Sequence, residues 1–529
     1  MIKSMTPMFF YLIRDIVEND ASLSSKYYLR KDLHDQYGFS SANSYFQFIM
    51  EFIIARQANM PRPPVIPDKF FAHISRKNSS EEINFLDLVA DNIYKTYNGA
   101  DRQARSNISI SHLMNLRSIQ SSRWLNKHDT SQSQAFARYI QNLSTEKFKN
   151  QISDGNFCSV CIAGFHRSVL GLGEDARRLA DVLLALNYRV ELIDFSSNLF
   201  PVSDEADIYE AFRVNRPTAP IIIFCMPLAE IARLWAFTYP NISAGRYVIA
   251  YSPWELSELP LGSHFILKHC DEVWCSTQYQ YDMYAAICKE KAYLVPLYVR
   301  SADPQCSDFI KNLLSDKFNF LFAFDFNSRI ERKNPLGLVW AFRCAFPQNN
   351  RDVQLVLKTI NATSNLRALE DLNHAIGNDD RIIIIDRDLT SFEMAYLIRE
   401  SDVFVSLHRA EGFGRLLAEA MLLRTLVICT DYSGSKDYAV PDTAVLTRYW
   451  LKSVEPHEYP SAIGEWAEPD LHHAAFLMNK TYSNPKIHAD KIDAAHRLVF
   501  DKFGIKTVAN IVKHRLDTIY DQKNYTKDK

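Results

Sequence analysis

The sequence predicts an α/β protein with two parallel sheets, each covered by helices on both faces, behind an extra, mainly helical N-terminal region. From about Phe157, short apolar segments alternate with amphipathic ones, as strands and crossover helices do in a parallel sheet. A second series of the same kind begins at Asn319. Inside it, residues 401–436 contain a strand, a glycine turn, a helix and a further strand, which together make a βαβ unit.

The length and charge of the chain limit the classes of protein to which it can belong. With 529 residues it is too long for a single hydrophobic core. Its net charge of −2 gives no overall basic field, so nucleic acid is not an expected partner. The apolar run near the start is broken by Arg14 and Asp15, and no stretch is apolar enough to span a membrane. We therefore expect a cytoplasmic protein, with peripheral contact to the inner face of the cell membrane as a further option.

The nine cysteines are scattered through apolar segments, which is typical of reduced thiols in a cytosolic protein. The one C-x-x-C pair, Cys158 and Cys161, lies in an apolar strand, and no second pair completes a zinc site. The sequence therefore predicts buried strand residues here and no metal site.

Residues 1–150 show helical periodicity and long polar connections instead of βαβ alternation. We expect helices at 8–17, 44–54, 81–97 and 132–143. A locally basic stretch lies between the last two: Arg102, Arg105, Arg117, Arg123 and Lys127. These side chains could form a solvated face or contact the phosphates of an acceptor or of membrane lipids. The region itself could cap the lobe that follows, support an oligomer or help hold an acceptor.

The first lobe, residues 151–303, opens with a strand at Phe157–Ala163, a loop at Gly164–Glu174 and a helix at Asp175–Leu186. In the loop, Gly171 and Gly173 would let backbone amides approach a phosphate or sugar closely. The full G-x-G-x-x-G pattern is missing, so dinucleotide binding fits poorly.

A second candidate group in this lobe follows a strand that ends at Tyr251, so its side chains should face the cleft. Trp254 could stack on a sugar, and Glu255 could accept a sugar hydroxyl or act as a base. A packing tryptophan and a surface glutamate are the alternative interpretation of the same residues.

The second lobe, residues 304–490, carries a basic cluster after its first strand, at Arg329, Arg332 and Lys333. Such a cluster is suited to a diphosphate, which gathers charge as a leaving group departs. Residues 491–529 then give one or two amphipathic helices and a polar tail.

The glycine turn of the βαβ unit is Gly412–Gly414, where helix N–H groups and the helix dipole favour an anion. Glu411 stands just before the turn, and Glu419 lies about one turn inside the helix. Carboxylates accept hydrogen bonds from hydroxyls well. One of these acids can therefore face the sugar of a ligand and the other its ribose.

This stretch, with Ser406–Arg409 before it and Asp431–Gly434 after it, resembles the E-x7-E region of family 4 glycosyltransferases. The loop with Gly171 and Gly173 resembles the glycine-rich loop of the same family, and Trp466–Asp470 resembles its closing segment. The resemblance implies the GT-B fold, in which two Rossmann-like lobes face each other across a cleft. The first lobe would then hold the acceptor, the second lobe the donor, and residues 491–529 would return to the first lobe.

The resemblance also implies a reaction. A sugar would pass from a nucleotide-diphosphate donor to a hydroxyl of a glycan or lipid-linked glycan, with retention at the anomeric carbon and with no metal or other cofactor required. Lys333, with Arg332 or Arg329, would stabilise the diphosphate, and Glu411 would orient the donor sugar. The same motifs resemble those of family members that synthesise a bacterial surface polysaccharide, such as O-antigen.

The implied donor site is larger than this catalytic group. Its members are Glu419, Gly171, Gly173, Ser328, Gly412, Phe413, Gly414, Arg415 and His408. The family commonly has an arginine five positions before the lysine, whereas this chain has Ser328 there. It also often has a first-lobe histidine after an internal strand, where this chain has Cys225–Pro227, and His166 is the available substitute on the acceptor side.

Three alternatives share parts of this pattern. A nucleotide-sugar epimerase of GT-B shape would use the same donor pocket, and a non-catalytic binding or scaffold subunit would keep the pocket without turnover. A nicotinamide-dependent dehydrogenase is poorly supported because its glycine fingerprint is incomplete.

Overall fold

The computed structural model describes residues 159–196, 202–235, 242–260, 262–314, 316–455, 459 and 464–525. The helices expected between residues 8 and 143, the basic stretch and Cys158 lie outside these ranges. Two compact units make up the chain, residues 1–150 with 232–245 and residues 151–231 with 246–529. Few residues of the first unit are described, and among them the Trp235 indole donates a hydrogen bond to the Ser243 hydroxyl at 2.8 Å. The second unit contains both sheets.

The first lobe is built on a parallel sheet of six strands in the order β2-β1-β3-β4-β5-β6. The strands are Ser159–Gly164 (β1), Arg189–Asp194 (β2), Ile221–Cys225 (β3), Tyr247–Ala250 (β4), Glu272–Cys275 (β5) and Ala292–Leu294 (β6). The helices are Gly171–Ala185 (α1), Leu228–Arg233 (α2), Ser263–Leu267 (α3) and Gln278–Cys288 (α4). Every residue of β1 and β3 is buried, which explains why these strands are continuous apolar runs in the sequence.

The second lobe repeats the architecture after a linking helix, Asp308–Leu314 (α5). Its six strands are Phe318–Asp325 (β7), Val353–Ile360 (β8), Ile382–Asp386 (β9), Val403–Ser406 (β10), Leu426–Thr430 (β11) and Val445–Thr447 (β12). Its helices are Ile330–Lys333 (α6), Pro335–Ala345 (α7), Leu366–Ile376 (α8), Ser391–Glu400 (α9) and Arg415–Leu422 (α10). The last of these strands, β12, has only three residues and lacks a long apolar run, so the sequence pattern does not indicate it.

The strand order places a binding crevice in each lobe. In the first sheet the order reverses between β1 and β3, and in the second sheet, ordered β12-β11-β10-β7-β8-β9, it reverses between β7 and β10. Ligands of open α/β sheets bind beyond the carboxyl ends of the strands at such a reversal. The basic cluster follows β7 and Glu411 follows β10, so both lie at the switch point of the second lobe.

The chain ends with an antiparallel pair, Tyr449–Ser453 (β13) and Glu465–Pro469 (β14), and three helices. The helices are Leu471–Ser483 (α11), Ala489–Phe503 (α12) and Ile505–Tyr525 (α13). Helix α13 packs on the first lobe, where Arg515 donates to the buried Glu272 carboxylate at 2.5 and 2.9 Å. Among the described residues, no helix is long and apolar enough to cross a membrane.

One predicted element is wrong in a way that concerns the site. Helix α1 begins at Gly171, four residues before the predicted start, so Gly171 and Gly173 form its first turn and not a loop. A Cβ at Gly173 would lie 2.6 Å from the Phe165 carbonyl oxygen and 2.4 Å from that of Ser168. Glycine is required at 173 because the preceding loop folds tightly against the helix start.

Replacing Arg515 with Met should destabilise the fold, because Glu272 is only 1% exposed and would keep a buried charge without its guanidinium partner. Breaking a buried pair in this way costs about 3 kcal/mol. The exposed Arg497 on α12 offers a matched control, and Arg497→Met should barely move the urea midpoint. Equal midpoints for the two variants would show that α13 is not anchored through Glu272.

Candidate active site

Two segments distant in sequence meet at the switch point of the second lobe. The Asn334 side chain donates to the Leu407 carbonyl at 3.0 Å, and Arg332 donates to the Ala410 carbonyl at 2.7 Å. In return, the Arg409 amide donates to the Arg332 carbonyl at 2.8 Å. Because β7 and β10 are neighbours in the sheet, the segments that follow them run side by side. The basic cluster is thereby held against the start of the glycine turn.

Glu411 is the centre of this arrangement. Its carboxylate accepts a hydrogen bond from the Lys333 ammonium and lies 3.2 Å from the Arg332 guanidinium. Burial acts to raise the pKa of Glu411, but Lys333 and Arg332 outweigh it and lower that pKa to about 2. Burial lowers the pKa of Lys333, while Glu411 opposes the change. The site therefore holds a carboxylate that stays ionised between two cations.

The glycine turn is fixed from the strand on its other side. The Glu411 amide donates to the Ser433 hydroxyl at 2.8 Å, and the Gly434 amide donates to the Glu411 carbonyl at 2.9 Å. A Cβ at Gly434 would lie 1.9 Å from the Gly412 carbonyl oxygen. Gly414 has a left-handed φ of 83°, after which α10 begins at Arg415. The turn is thus rigid, and it presents the N-terminus of α10 toward the cluster.

Some predicted donor residues support this turn from the core. His408 has no exposed surface, and its Nδ1 lies 3.0 Å from the Ser406 hydroxyl. Burial lowers its pKa to about 4, which leaves the ring neutral at pH 7. The Phe413 ring is buried against Tyr438 and Phe503. The side chains of His408 and Phe413 therefore pack beneath the turn, in the core, and do not face open space.

The structure distinguishes the two candidate arginines. Arg332 contacts Glu411 and also donates to the Ser328 carbonyl at 3.1 Å. Arg329 adopts a left-handed φ of 62° and places its guanidinium 5.4 Å from the centre of the Tyr459 ring. Position 328, where the family pattern has an arginine, thus carries a serine whose backbone helps to orient Arg332.

The first lobe brings Glu255 and Trp254 to the same place. The Glu255 carboxylate lies 3.2 Å from Arg332 and accepts a hydrogen bond from the Tyr459 hydroxyl at 3.0 Å. The Trp254 indole donates to the Glu258 carbonyl at 2.7 Å and packs edge-on against Tyr459. Of the acceptor-side candidates, Glu255 therefore contacts the basic cluster directly, and Trp254 adjoins it through Tyr459.

His166 lies elsewhere in the first lobe, after β1. It is 1% exposed, and its Nδ1 is 3.6 Å from the Asp194 carboxylate. Burial lowers its pKa, and Asp194 opposes this effect. The contacts of His166 are with Asp194 at the end of β2 and with Arg177 of α1, which donates to the His166 carbonyl at 2.7 Å.

Arg415 and Glu419 face the start of α1. The Arg415 guanidinium binds the Asp175 carboxylate at 2.5 and 3.0 Å, and it lies 4.0 Å from the Glu419 carboxylate. Burial raises the pKa of Glu419 to about 8, with Arg415 acting against it and Glu174 adding to it. A Cβ at Gly171 would meet nothing within 4 Å. The first turn of α1 thus leaves open space at Gly171.

A further contact joins the lobes at the glycine turn. The Thr277 hydroxyl donates to the Gly412 carbonyl at 3.1 Å, and the Gln278 amide donates to the Asp437 carboxylate at 3.1 Å. A Cβ at Gly412 would lie 2.9 Å from the Gln280 side chain. Helix α4 therefore meets the turn end-on. Within the described ranges, no three His, Cys, Asp or Glu side chains form a group that could hold a metal ion.

Residues 312–477 match the family model for glycosyl transferases group 1. The matched residues run from α5 into α11 and include the whole second sheet. Two solved structures of the Anabaena protein Alr3699/HepE share the fold, one in complex with UDP and glucose and one with UDP-glucose. Their TM-scores are 0.51 and 0.50, with 13% and 14% identity over 68% of this chain and 100% of theirs. No curated protein sequence matches the chain.

The chain is thus a glycosyltransferase with the GT-B fold, as the sequence predicts. Sequence reasoning missed several residues of the glycosyltransferase that join its lobes, namely Asp175, Thr277, Gln278 and Asp437. Thr277 carries a recognisable signal as the N-cap of α4, because its side chain accepts from the Gln280 amide. That signal predicts a helix start but not the contact with Gly412.

The carboxyl group of Glu419 should make the stability of the glycosyltransferase depend on pH. A carboxyl whose pKa is raised to about 8 binds a proton more tightly in the folded state, so stability falls as pH rises from its unfolded pKa, about 4.3, through 8. Glu419→Gln should remove this loss and become more stable than the wild type, by a few kcal/mol, above pH 8. The measurement is the urea midpoint between pH 5 and 9.

Glu370→Gln, on the exposed face of α8, is the matched control and should follow the wild type at every pH. If the difference in urea midpoint between Glu419→Gln and the wild type does not change with pH, the pKa of the Glu419 carboxyl is not raised in the folded state.

Proposed function

We propose that this glycosyltransferase moves a sugar from a nucleoside-diphosphate sugar to a hydroxyl of a glycan or lipid-linked glycan, with retention at the anomeric carbon. The observation that carries the proposal is the cluster of Lys333, Arg332 and Glu411 at the N-terminus of α10. Two cations beside helix amides suit a diphosphate leaving group. The HepE structures, with UDP and UDP-glucose, support the same donor class.

In this proposal the residues of the cluster have different roles. Lys333 and Arg332 neutralise charge that develops on the diphosphate, and the amides of Gly412–Gly414 add hydrogen-bond donors to it. Glu411 stays ionised beside them, because its pKa is about 2. It accepts hydrogen bonds from hydroxyls of the donor sugar and lies near the positive charge that grows at the reacting carbon.

Glu419 is proposed to bind the ribose. At pH 7 its carboxyl is largely protonated, because its pKa is about 8. A protonated carboxyl can donate one hydrogen bond and accept another, which suits a diol. The rest of the nucleotide is proposed to lie at the open space beside Gly171, in the same helix α1 as the Asp175 partner of Arg415.

The first lobe is proposed to hold the acceptor. Glu255 and Trp254 adjoin the cluster from that side, so an acceptor bound there would reach the donor. The acceptor oxygen would bond to the anomeric carbon on the face that the diphosphate leaves, and the carbon–oxygen bond to the phosphate would break. The acceptor proton would pass to a phosphate oxygen, which needs no nucleophile from the protein.

The family pattern favours surface-polysaccharide synthesis of the O-antigen type. We propose that the enzyme works in the cytoplasm, at the inner face of the cell membrane, and that its N-terminal region aids membrane contact, oligomerisation or acceptor binding. Vesicle flotation and light scattering of chains with and without residues 1–150 would test these roles.

Lys333→Ala should lower kcat for sugar transfer by about 10²–10³-fold, because the leaving diphosphate loses its nearest cation. The assay is a panel of nucleotide sugars, screened first for thermal stabilisation and then for product mass with candidate acceptors. Lys311→Ala, on the exposed face of α5, is the control and should keep full activity. Unchanged kcat in Lys333→Ala would contradict the proposed role of the cluster, and sugar isomerisation without an acceptor would indicate an epimerase.

Retention should be visible in the first turnovers. The product formed from an α-linked donor should carry an α-glycosidic bond, as read from the anomeric proton coupling in an NMR spectrum of the early reaction. A β-linked early product would contradict retention and would leave the transferase activity itself intact.

A further inference from the structure

A pocket with a mainly apolar lining lies in the second lobe, apart from the basic cluster. It has a volume of about 290 Å³ and is bounded by the edge strand β12, the end of α11 and the start of α12. Val445 and Leu477 give it an apolar wall. The polar part of its lining is cationic or neutral, and it comes from Lys480, Thr481, His488 and Lys491.

His488 is the residue that points to a ligand. Its side chain is 7% exposed, and its Nε2 lies 3.2 Å from the Thr481 hydroxyl. Its Nδ1 is buried and makes no hydrogen bond within the part of the chain that the structure describes. Leaving a buried polar atom unpaired costs about 1–3 kcal/mol. If the Thr481 hydroxyl donates to Nε2, the ring proton is on Nδ1, which becomes an unused, buried donor on a residue that lines the pocket.

The charges around His488 select the sign of the ligand. Lys480 lies in the last turn of α11 and Lys491 in the first turn of α12. Burial lowers the pKa of His488, and both lysines lower it further, which shows that the ring sits in a positive potential. A positive potential and an unpaired N–H donor together favour an anion.

We propose that this pocket binds a small organic anion. The His488 Nδ1–H and the ammonium group of Lys480 hold its phosphate or carboxylate group, and its apolar body packs against Val445 and Leu477. The Lys491 ammonium, which donates to the Pro441 carbonyl, adds positive charge beside them. The volume is at the lower limit of ligand pockets, about 300 Å³, which suits a short-chain phosphate better than a whole nucleotide sugar. This inference is independent of the proposed reaction.

The test is calorimetric titration of the full chain with inorganic phosphate and with butyl phosphate. Both probes should bind, and butyl phosphate should bind more tightly because its chain covers the apolar wall. Lys333→Ala serves as the background, since it weakens the other phosphate-binding cluster and should leave this binding in place. On that background, His488→Phe and Lys480→Met should each weaken binding about tenfold.

Lys506→Met, on the exposed face of α13, is the matched control and should have no effect. In NMR spectra, saturation with butyl phosphate should raise the pKa of the His488 imidazole, because an anion favours its charged form. Lys480 is exposed, so Lys480→Met decides the question even if His488→Phe does not fold. The proposal is overturned if neither probe binds at millimolar concentration, or if binding survives both pocket substitutions. Binding that Lys333→Ala alone abolishes, or equal affinity for the two probes, would also overturn it.

Discussion

The ion pairs of Glu411 are the interaction on which the candidate site depends. A buried carboxylate is costly by itself, and two buried or partly buried cations are costly without it. Lys333 and Arg332 come from the segment after β7, and Glu411 comes from the segment after β10, 78 residues beyond Lys333. The parallel pairing of these two strands therefore brings the opposite charges together, and each offsets the cost of burying the other. A site of this kind forms only when the second sheet has folded.

The same charges reach across to the first lobe. Arg332 contacts Glu255, and Arg415 binds Asp175. In the reaction that we propose, these arginines also lie beside the donor, so the diphosphate must share them with carboxylates of the opposite lobe. Arg332 and Arg415 would then take part both in donor binding and in the contact between the lobes. In that proposal the diphosphate competes with Glu255 for Arg332 and with Asp175 for Arg415.

Much of the fold could be predicted because parallel strands are apolar on both faces and helices have one apolar stripe. The strand, glycine turn, helix and further strand predicted within residues 401–436 are β10, Gly412–Gly414, α10 and β11. The basic cluster and Glu411 were also found, since motifs at strand ends are local in sequence. His408 and Phe413 could not be placed, because a motif does not show which of its side chains face the core. The lobe contacts of Asp175 and Thr277 depend on residues 240 and 135 positions away, which no local pattern records.

The two glutamates of the E-x7-E motif show why spacing alone does not define chemistry. Burial acts to raise the pKa of both carboxyls. Glu411 is in contact with two cations, which lower its pKa to about 2. Glu419 has one cation at 4.0 Å, and its pKa stays raised at about 8. The cation beside Glu419 is bound to Asp175, so it compensates Glu419 only weakly. Pairs of carboxyls driven apart in this way take different roles at neutral pH. An ionised Glu411 suits developing positive charge, and a protonated Glu419 suits a neutral diol.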